Sequence, residues 1–172
     1  MRKVPPVIRA VLVQFALLAF LAVPNAVTVL FGTTVILKTV PVDPRDFFRG
    51  QYVALTFAAS RAPYEREPAS EVPRVGQTVY VPLRETRDGT WEAGAARLER
   101  PRTGVFLRGE VQERSGAHVR VRYGIEQYFA SETEARRYEA LAGSGLQAVV
   151  RVRRDGTARL QKLAMPAGGA RP

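Results

Sequence analysis

The chain has 172 residues and a formal net charge of +10 at pH 7, made by 23 Arg and 3 Lys against 16 acidic residues. This length predicts one domain with a modest core and an appendage. The absence of cysteine excludes disulfides, thiol nucleophiles and cysteine-ligated metals, and the single histidine, His118, excludes a histidine-cluster metal site. We therefore expect neither an enzyme nor a bound cofactor. Charge alone does not establish nucleic-acid binding, and we predict none.

The strongest signal is an uncharged apolar run of 22 residues at positions 10–31, AVLVQFALLAFLAVPNAVTVLF. As a helix it is about 33 Å long, enough to cross a hydrocarbon core of about 30 Å. We expect an uncleaved transmembrane signal-anchor helix. The alternatives are a cleaved signal peptide, for which Pro24-Asn25-Ala26 is a poor cleavage site, and a buried helix of a soluble protein.

The orientation of this span follows from the charges around it. These are nearly balanced, with Arg2, Lys3 and Arg9 before it and Lys38, Arg45 and Arg49 after it. Because acidic residues interrupt the later cations, we expect residues 1–9 to be a cytoplasmic tail. Residues 32–165 are then an extracytoplasmic (periplasmic) domain at the inner membrane, and residues 166–172 a disordered tail.

The sequence after residue 31 consists of short β-rich runs. Residues 33–40 (TTVILKTV) are rich in β-branched side chains. Residues 51–58 (QYVALTFA) and 77–83 (QTVYVPL) alternate between apolar and other residues. The apolar faces of these two strands carry Val53, Leu55 and Phe57, and Val79, Val81 and Leu83.

Three turns share an Arg-x-Gly form, at residues 87–90, 114–117 and 154–157. Each predicts a three-residue hairpin loop closed by glycine in the left-handed region. In the last hairpin this register pairs Val152 with Ala158 and Val150 with Leu160. In the middle hairpin it pairs Val111 with Val119 and Leu107 with Tyr123.

One short helix is expected between the strands. Ser131 and Glu134 form a possible capping box, and the helix would run to about Leu141, before the sequence Gly-Ser-Gly. The predicted fold class is therefore mainly β (α+β): a transmembrane helix, then about eight strands in hairpins with one short helix.

The densest local pattern is residues 41–57, PVDPRDFFRGQYVALTF. Prolines and acidic residues predict a rigid turn, a glycine permits a tight bend, and a strand with aromatic residues on both faces follows. The pattern fits a self-contained turn, a surface for a ligand or partner, or a metal site on two Asp residues. Its charged and glycine positions are Asp43, Arg45, Asp46, Arg49 and Gly50.

This run, placed after an apolar N-terminal helix, resembles the GDYXXLXY family of bacterial membrane-anchored proteins. The motif falls on Gly50, Tyr52, Leu55 and Phe57, with Gln51 in place of the motif Asp and Phe57 in place of its last Tyr. The hairpin at residues 148–163 is also similar to the family. A second run, VRYGIEQYF at residues 121–129, resembles the family's YGIExYF segment and contributes Tyr123, Gly124, Glu126 and Tyr128.

The resemblance implies an uncharacterised function without established catalytic residues. It also implies association with multi-spanning membrane proteins, and hence an accessory-subunit role. Because Gln51 lacks the carboxylate of the motif Asp, the resemblance does not imply ion or proton chemistry at that position.

Our leading hypothesis is a binding or assembly module that contacts a multi-spanning membrane protein. A membrane-tethered Ser/Lys hydrolase is less favoured, because only Lys38 and Lys162 lie beyond the N-terminal tail. An acid–base cluster of Tyr123, Glu126 and Tyr128 is a further reading, although such residues more often pack and cap. The remaining alternative is a domain that binds lipid headgroups or another polyanion through Arg120, Arg122, Arg151, Arg153, Arg154 and Arg159.

Overall fold

The computed structural model describes residues 5–40, 48–49, 52–64, 72–129, 134, 138 and 145–165. One helix, α1, precedes twelve strands among these residues. The elements are α1 Pro6–Phe31, β1 Thr33–Val40, β2 Phe48–Arg49, β3 Tyr52–Ala54, β4 Thr56–Phe57, a 3-10 turn Ala58–Ser60, β5 Arg61–Pro63, β6 Thr78–Glu85, β7 Trp91–Ala93, β8 Phe106–Ser115, β9 His118–Arg122, β10 Gln127–Phe129, β11 Gln147–Val152 and β12 Ala158–Ala164.

Most strands belong to one curled sheet in the order β12-β11-β1-β7-β6-β8-β9-β5, with β4 paired to β1 beside this path. A small sheet has the order β10-β3-β2. The mainly β fold class is confirmed. The predicted apolar faces are buried, including Val53, Leu55 and Phe57, because alternate side chains of each strand point into the same core.

Strand β1 joins the helix to the sheet. It follows α1 after the single residue Gly32 and pairs antiparallel with β11 from Thr33 to Lys38. Its last residues pair with β4, and Leu37 lies opposite Trp91 of β7 in the one parallel pairing among the described strands. The helix is therefore joined to a strand that has partners on both of its edges.

Helix α1 exposes apolar side chains on all sides. Every described side chain between Val7 and Phe20 is exposed, and Phe20 retains 75% of its accessible area. Among the residues that the structure describes, however, no helix is found that is long and apolar enough to be a candidate membrane span. The expected transmembrane helix is thus not found there, and membrane anchoring stays a prediction.

Two of the three predicted hairpin loops are confirmed. In the last hairpin, Val152 pairs with Ala158 and Val150 with Leu160, and the Arg153 N–H donates to the Thr157 carbonyl at 2.9 Å. In the first, the Thr86 N–H donates to the Thr90 carbonyl at 2.8 Å, which leaves a three-residue loop. In both loops a glycine closes the turn in the left-handed region.

The predicted register of the middle hairpin is wrong. Ser115 pairs with His118, so the loop has two residues, Gly116 and Ala117, and Val111 lies opposite Val121 instead of Val119. Gly116 has φ +60°, as the first central position of a type II′ turn requires. The register shifts between Val111 and Glu113, and as a result Val111 lies opposite another apolar residue, Val121.

The single strand predicted at residues 51–58 is also divided in the structure. It breaks at Leu55 into β3 and β4, because β3 pairs with β10 whereas β4 pairs with β1. Of the predicted helix at residues 131–141, the described residues Glu134 and Tyr138 both have helical backbone. The rest of that helix and the tail at residues 166–172 lie outside the described residues.

The loop of the last hairpin docks onto β8. The Arg108 N–H donates to the Gly156 carbonyl at 2.8 Å, and the Arg100 Nη2 donates to the Arg154 carbonyl at 2.8 Å. A Cβ at position 156 would lie 2.9 Å from the Arg108 backbone nitrogen. Glycine is therefore required at this close approach as well as for its φ of +84°.

We expect Gly156→Ala to lower the free energy of unfolding by about 3 kcal/mol, from left-handed strain plus displacement of β8. Gly89→Ala is the matched control, because Gly89 has φ +76° but nothing within 4 Å of its added Cβ. That control should cost about 1 kcal/mol. Urea unfolding of the detergent-solubilised chain, followed by its single tryptophan, measures both. Equal losses would mean that the docking contact is absent.

Asp88 links the first hairpin loop to β1. Hydrogen bonds from the Thr86 hydroxyl, then from Thr90, and the ion pair with Lys38 at 3.0 Å hold the pKa of Asp88 well below its usual range. A carboxylate whose pKa is lower in the folded protein than in the unfolded chain stabilises the fold fully at a pH above its pKa in the unfolded chain. This stabilisation decreases as the pH falls and is lost once the pH passes below the pKa in the folded protein.

We therefore expect Asp88→Asn to lower the Tm at pH 7, with a difference from wild type that shrinks steadily as the pH falls below about 4. Scanning calorimetry between pH 7 and pH 2 measures this. Glu92→Gln, on the neighbouring strand β7, removes an exposed carboxylate as a control. A pH-independent Asp88→Asn difference would contradict the electrostatic explanation.

Candidate functional site

The two motifs quoted from the sequence pair directly with each other. Strand β3 of the first motif lies antiparallel to β10 of the second, with Val53 opposite Tyr128 and Ala54 opposite Gln127. The Leu55 N–H extends this pairing by donating to the Glu126 carbonyl at 2.8 Å. The structure thus brings together Tyr52, Leu55, Glu126 and Tyr128 as parts of one substructure.

The Glu126 carboxylate closes a tight turn before β10. One oxygen accepts the Tyr123 N–H at 2.5 Å and the other accepts the Gly124 N–H at 2.8 Å. Gly124 has φ +80°, which suits glycine at this bend. Both carboxylate oxygens therefore satisfy backbone donors that lie beside the core.

Tyr123 connects this turn to the segment after the first motif. Its hydroxyl donates to the Ala59 carbonyl at 2.6 Å, in the 3-10 turn that follows β4. Burial, and secondly the nearby Glu126 charge, raises the pKa of the Tyr123 phenol, so this group stays a neutral donor. A Cβ on Gly109 would lie 2.7 Å from the Tyr123 ring, so the glycine provides the space for that ring.

Tyr128 contacts Tyr138 in the segment that follows β10. Its ring packs edge-on against Tyr138 at 6.0 Å between centroids, and burial, followed by Tyr138, raises its pKa. Leu55 and Phe57 are buried in the core and have no polar side-chain group to offer. The described motif residues thus act as packing and hydrogen-bonding groups.

A cleft of about 560 Å³ opens beside this substructure. Its lining includes Arg108, Gly109 and Glu110 of β8, residues of the segment from Arg122 to Gln127, and Thr157 of the last hairpin. Glu110 and Arg122 are cross-strand neighbours in the β8–β9 pairing and form an ion pair at 3.4 Å, with both side chains about half exposed. The lining thus combines polar, apolar and oppositely charged groups.

The six arginines that the sequence analysis grouped lie on two hairpins. Arg120 pairs with Glu113 and Arg122 with Glu110, both at 3.4 Å on β8 and β9. The other four lie on β11, on β12 or in the loop between them. These four are Arg151, Arg153, Arg154 and Arg159.

Part of the first motif lies outside the described residues, namely Asp43, Arg45, Asp46, Gly50 and Gln51. Arg49 and Tyr52 are placed by their backbone, opposite each other in the β2–β3 pairing. Within the described residues, no group of three or more His, Cys, Asp or Glu side chains could hold a metal ion. The alternative of a metal site on two Asp residues therefore stays untested, because both residues lie outside the described part of the chain.

Sequence reasoning missed Gly109, and for Gly156 it predicted the left-handed turn position but not the close approach to Arg108. Nothing in the local sequence shows either close approach, because the contacting residues lie elsewhere in the chain. The capping role of Glu126 has a local signal in the spacing Tyr-Gly-x-Glu, which places a carboxylate next to two backbone donors.

We expect Glu126→Ala to lower the free energy of unfolding by about 2–3 kcal/mol, because two backbone N–H groups next to the core lose a charged acceptor. Glu113→Ala is the matched control, since it removes only the exposed ion pair with Arg120 and should cost less than about 1 kcal/mol. Urea unfolding compares the two variants. An equal, small effect of both would show that the Glu126 turn contributes little.

Comparison with protein families gives a match over most of the chain. The model of the family described as GDYXXLXY protein matches residues 14–163, which is most of the chain and includes both motifs. No curated protein and no solved structure matches.

Proposed function

The chain belongs to the GDYXXLXY family, and we propose that it is a membrane-anchored accessory protein whose β domain docks onto a multi-spanning membrane protein. In this proposal α1 is the anchor at the inner membrane, and the domain lies on the extracytoplasmic side. The observation that carries it is the exposed apolar surface of α1.

The exposed surface of α1 is unfavourable in water. Large apolar side chains are exposed along it, among them Leu12 at 60%, Phe15 at 67% and Phe20 at 75%. A helix that is apolar all round is stable only when lipid or protein covers it. Since no described helix is found to be long and apolar enough to cross a membrane, the proposal rests on this exposure and on the uncharged run at residues 10–31.

A binding role is favoured over catalysis because the motif side chains are already engaged. Both oxygens of Glu126 accept backbone hydrogen bonds, and the buried Tyr123 hydroxyl donates to Ala59. Groups held this way position chain segments and are poorly placed to exchange protons with a substrate.

The proposed docking surface lies beside the paired motifs. Val40, opposite Thr56, is 42% exposed, and Phe129, opposite Tyr52, is 61% exposed. Exposed aromatic and aliphatic side chains of this kind are typical anchors of protein interfaces. We assign them to an apolar extracytoplasmic loop of the partner.

The test of partner binding is affinity purification in mild detergent at native expression. We expect a multi-spanning membrane protein to co-purify with wild type and to be lost with Phe129→Ser. Val75→Ser is the control, because Val75 is 65% exposed but lies in the turn before β6. Recovery of the wild-type protein alone would contradict the assembly role.

Anchoring and orientation are tested separately. We expect the full chain to stay in the membrane pellet after carbonate extraction, and alkaline phosphatase fused after Pro172 to be active. Release by carbonate would contradict the anchor. An inactive but stable fusion would reverse the orientation while leaving the anchor in place.

A further inference from the structure

We infer that the end of the domain from which α1 leaves is a binding surface for anionic phospholipid headgroups. This surface, the helix-proximal arginine patch, rests on the proposed membrane attachment of α1. Its members are Arg100, Arg151, Arg153, Arg154 and Arg159.

Arg151 fixes the position of the patch relative to the helix. Its Nη1 donates to the Gly32 carbonyl at 2.7 Å and to the Thr34 hydroxyl at 3.0 Å. Gly32 is the residue between α1 and β1, and α1 also contacts β11 and β12. The guanidinium of Arg151 therefore lies where the helix meets the sheet.

The other arginines are held around this point by backbone contacts. Arg159 lies directly opposite Arg151 in the β11–β12 pairing. Arg153 and Arg154 belong to the loop of that hairpin, and Arg100 donates to the Arg154 carbonyl at 2.8 Å. Docking of Gly156 on Arg108 keeps the loop in place.

Arginines outnumber acidic residues in the patch. Three ion pairs lie elsewhere in the described domain, namely Lys38–Asp88, Arg120–Glu113 and Arg122–Glu110. The two stretches of sequence that form the patch, residues 99–100 and 151–159, carry five arginines and two acidic residues. The acidic residues are Asp155, which pairs with Arg153 at 3.7 Å, and Glu99, the sequence neighbour of Arg100. These stretches thus have a formal surplus of positive charge.

Anionic headgroups are the ligand that fits this placement. Where a helix leaves the hydrocarbon core it passes the layer of headgroup phosphates, and residues beside its end face that layer. Guanidinium groups bind phosphate through paired N–H donors.

The test uses the full chain reconstituted into vesicles, with a fluorophore on a single introduced cysteine. Because the natural chain has no cysteine, Glu99→Cys reports on the patch and Ala117→Cys on the tip of the β8–β9 hairpin. Lipids with a nitroxide on the headgroup quench a fluorophore that lies close to them. The vesicles are phosphatidylcholine alone, or phosphatidylcholine with phosphatidylglycerol.

We expect stronger quenching at position 99 in the anionic vesicles, abolished by 0.5 M salt, and little change at position 117. Arg100→Gln with Arg154→Gln should reduce the anionic preference roughly fivefold for each arginine removed. Arg61→Gln with Arg114→Gln removes two exposed cations elsewhere and should leave the preference unchanged.

The possible failures are distinguishable. A protein that floats with neither kind of vesicle overturns the proposed attachment and this inference with it. A protein that floats with both but shows equal quenching at position 99 overturns this inference alone. If the patch variants lose the co-purified protein but keep the lipid preference, the arginines bind an acidic protein surface and the inference is wrong.

Discussion

The pairing of β3 with β10 is the constraint on which the motif region depends. It joins two distant parts of the chain, and the hydrogen bond from the Leu55 N–H to the Glu126 carbonyl continues it beyond the strands. Tyr123, 64 residues from Ala59 in sequence, then ties the end of β9 to the turn after β4. Because each contact positions the next, the described residues of the two motifs hold this part of the fold together.

The sequence pattern predicted the strand register of a hairpin correctly where the residues on both sides of the turn are apolar. The register of the last hairpin followed from Val150 and Val152, because only one loop length places apolar residues opposite each other. The middle hairpin failed because apolar pairing does not single out one register there. The predicted register places Val111 opposite Val119, and the observed one places it opposite Val121.

The candidate site was predictable as two motifs but not as one substructure. Nothing in the run at residues 51–58 shows that it divides at Leu55, since the division arises from two different strand partners. The same limit applies to Gly109, where an added Cβ would meet the Val121 side chain, the Arg122 carbonyl and the Tyr123 ring. Sequence identified the residues, and tertiary pairing decides what they do.

The most direct test of this account is a disulfide across the paired motifs. Ala54 lies opposite Gln127, one step from the hydrogen bond between Leu55 and Glu126, so the pair is of the non-hydrogen-bonded kind with a Cα separation of about 4.5 Å. That spacing suits a disulfide, and the natural chain has no competing cysteine. The account predicts efficient oxidation of Ala54→Cys with Gln127→Cys and little of Ala54→Cys with Phe129→Cys, as measured by peptide mass spectrometry. Equal oxidation of both pairs, or of neither, would contradict the pairing of the two motifs.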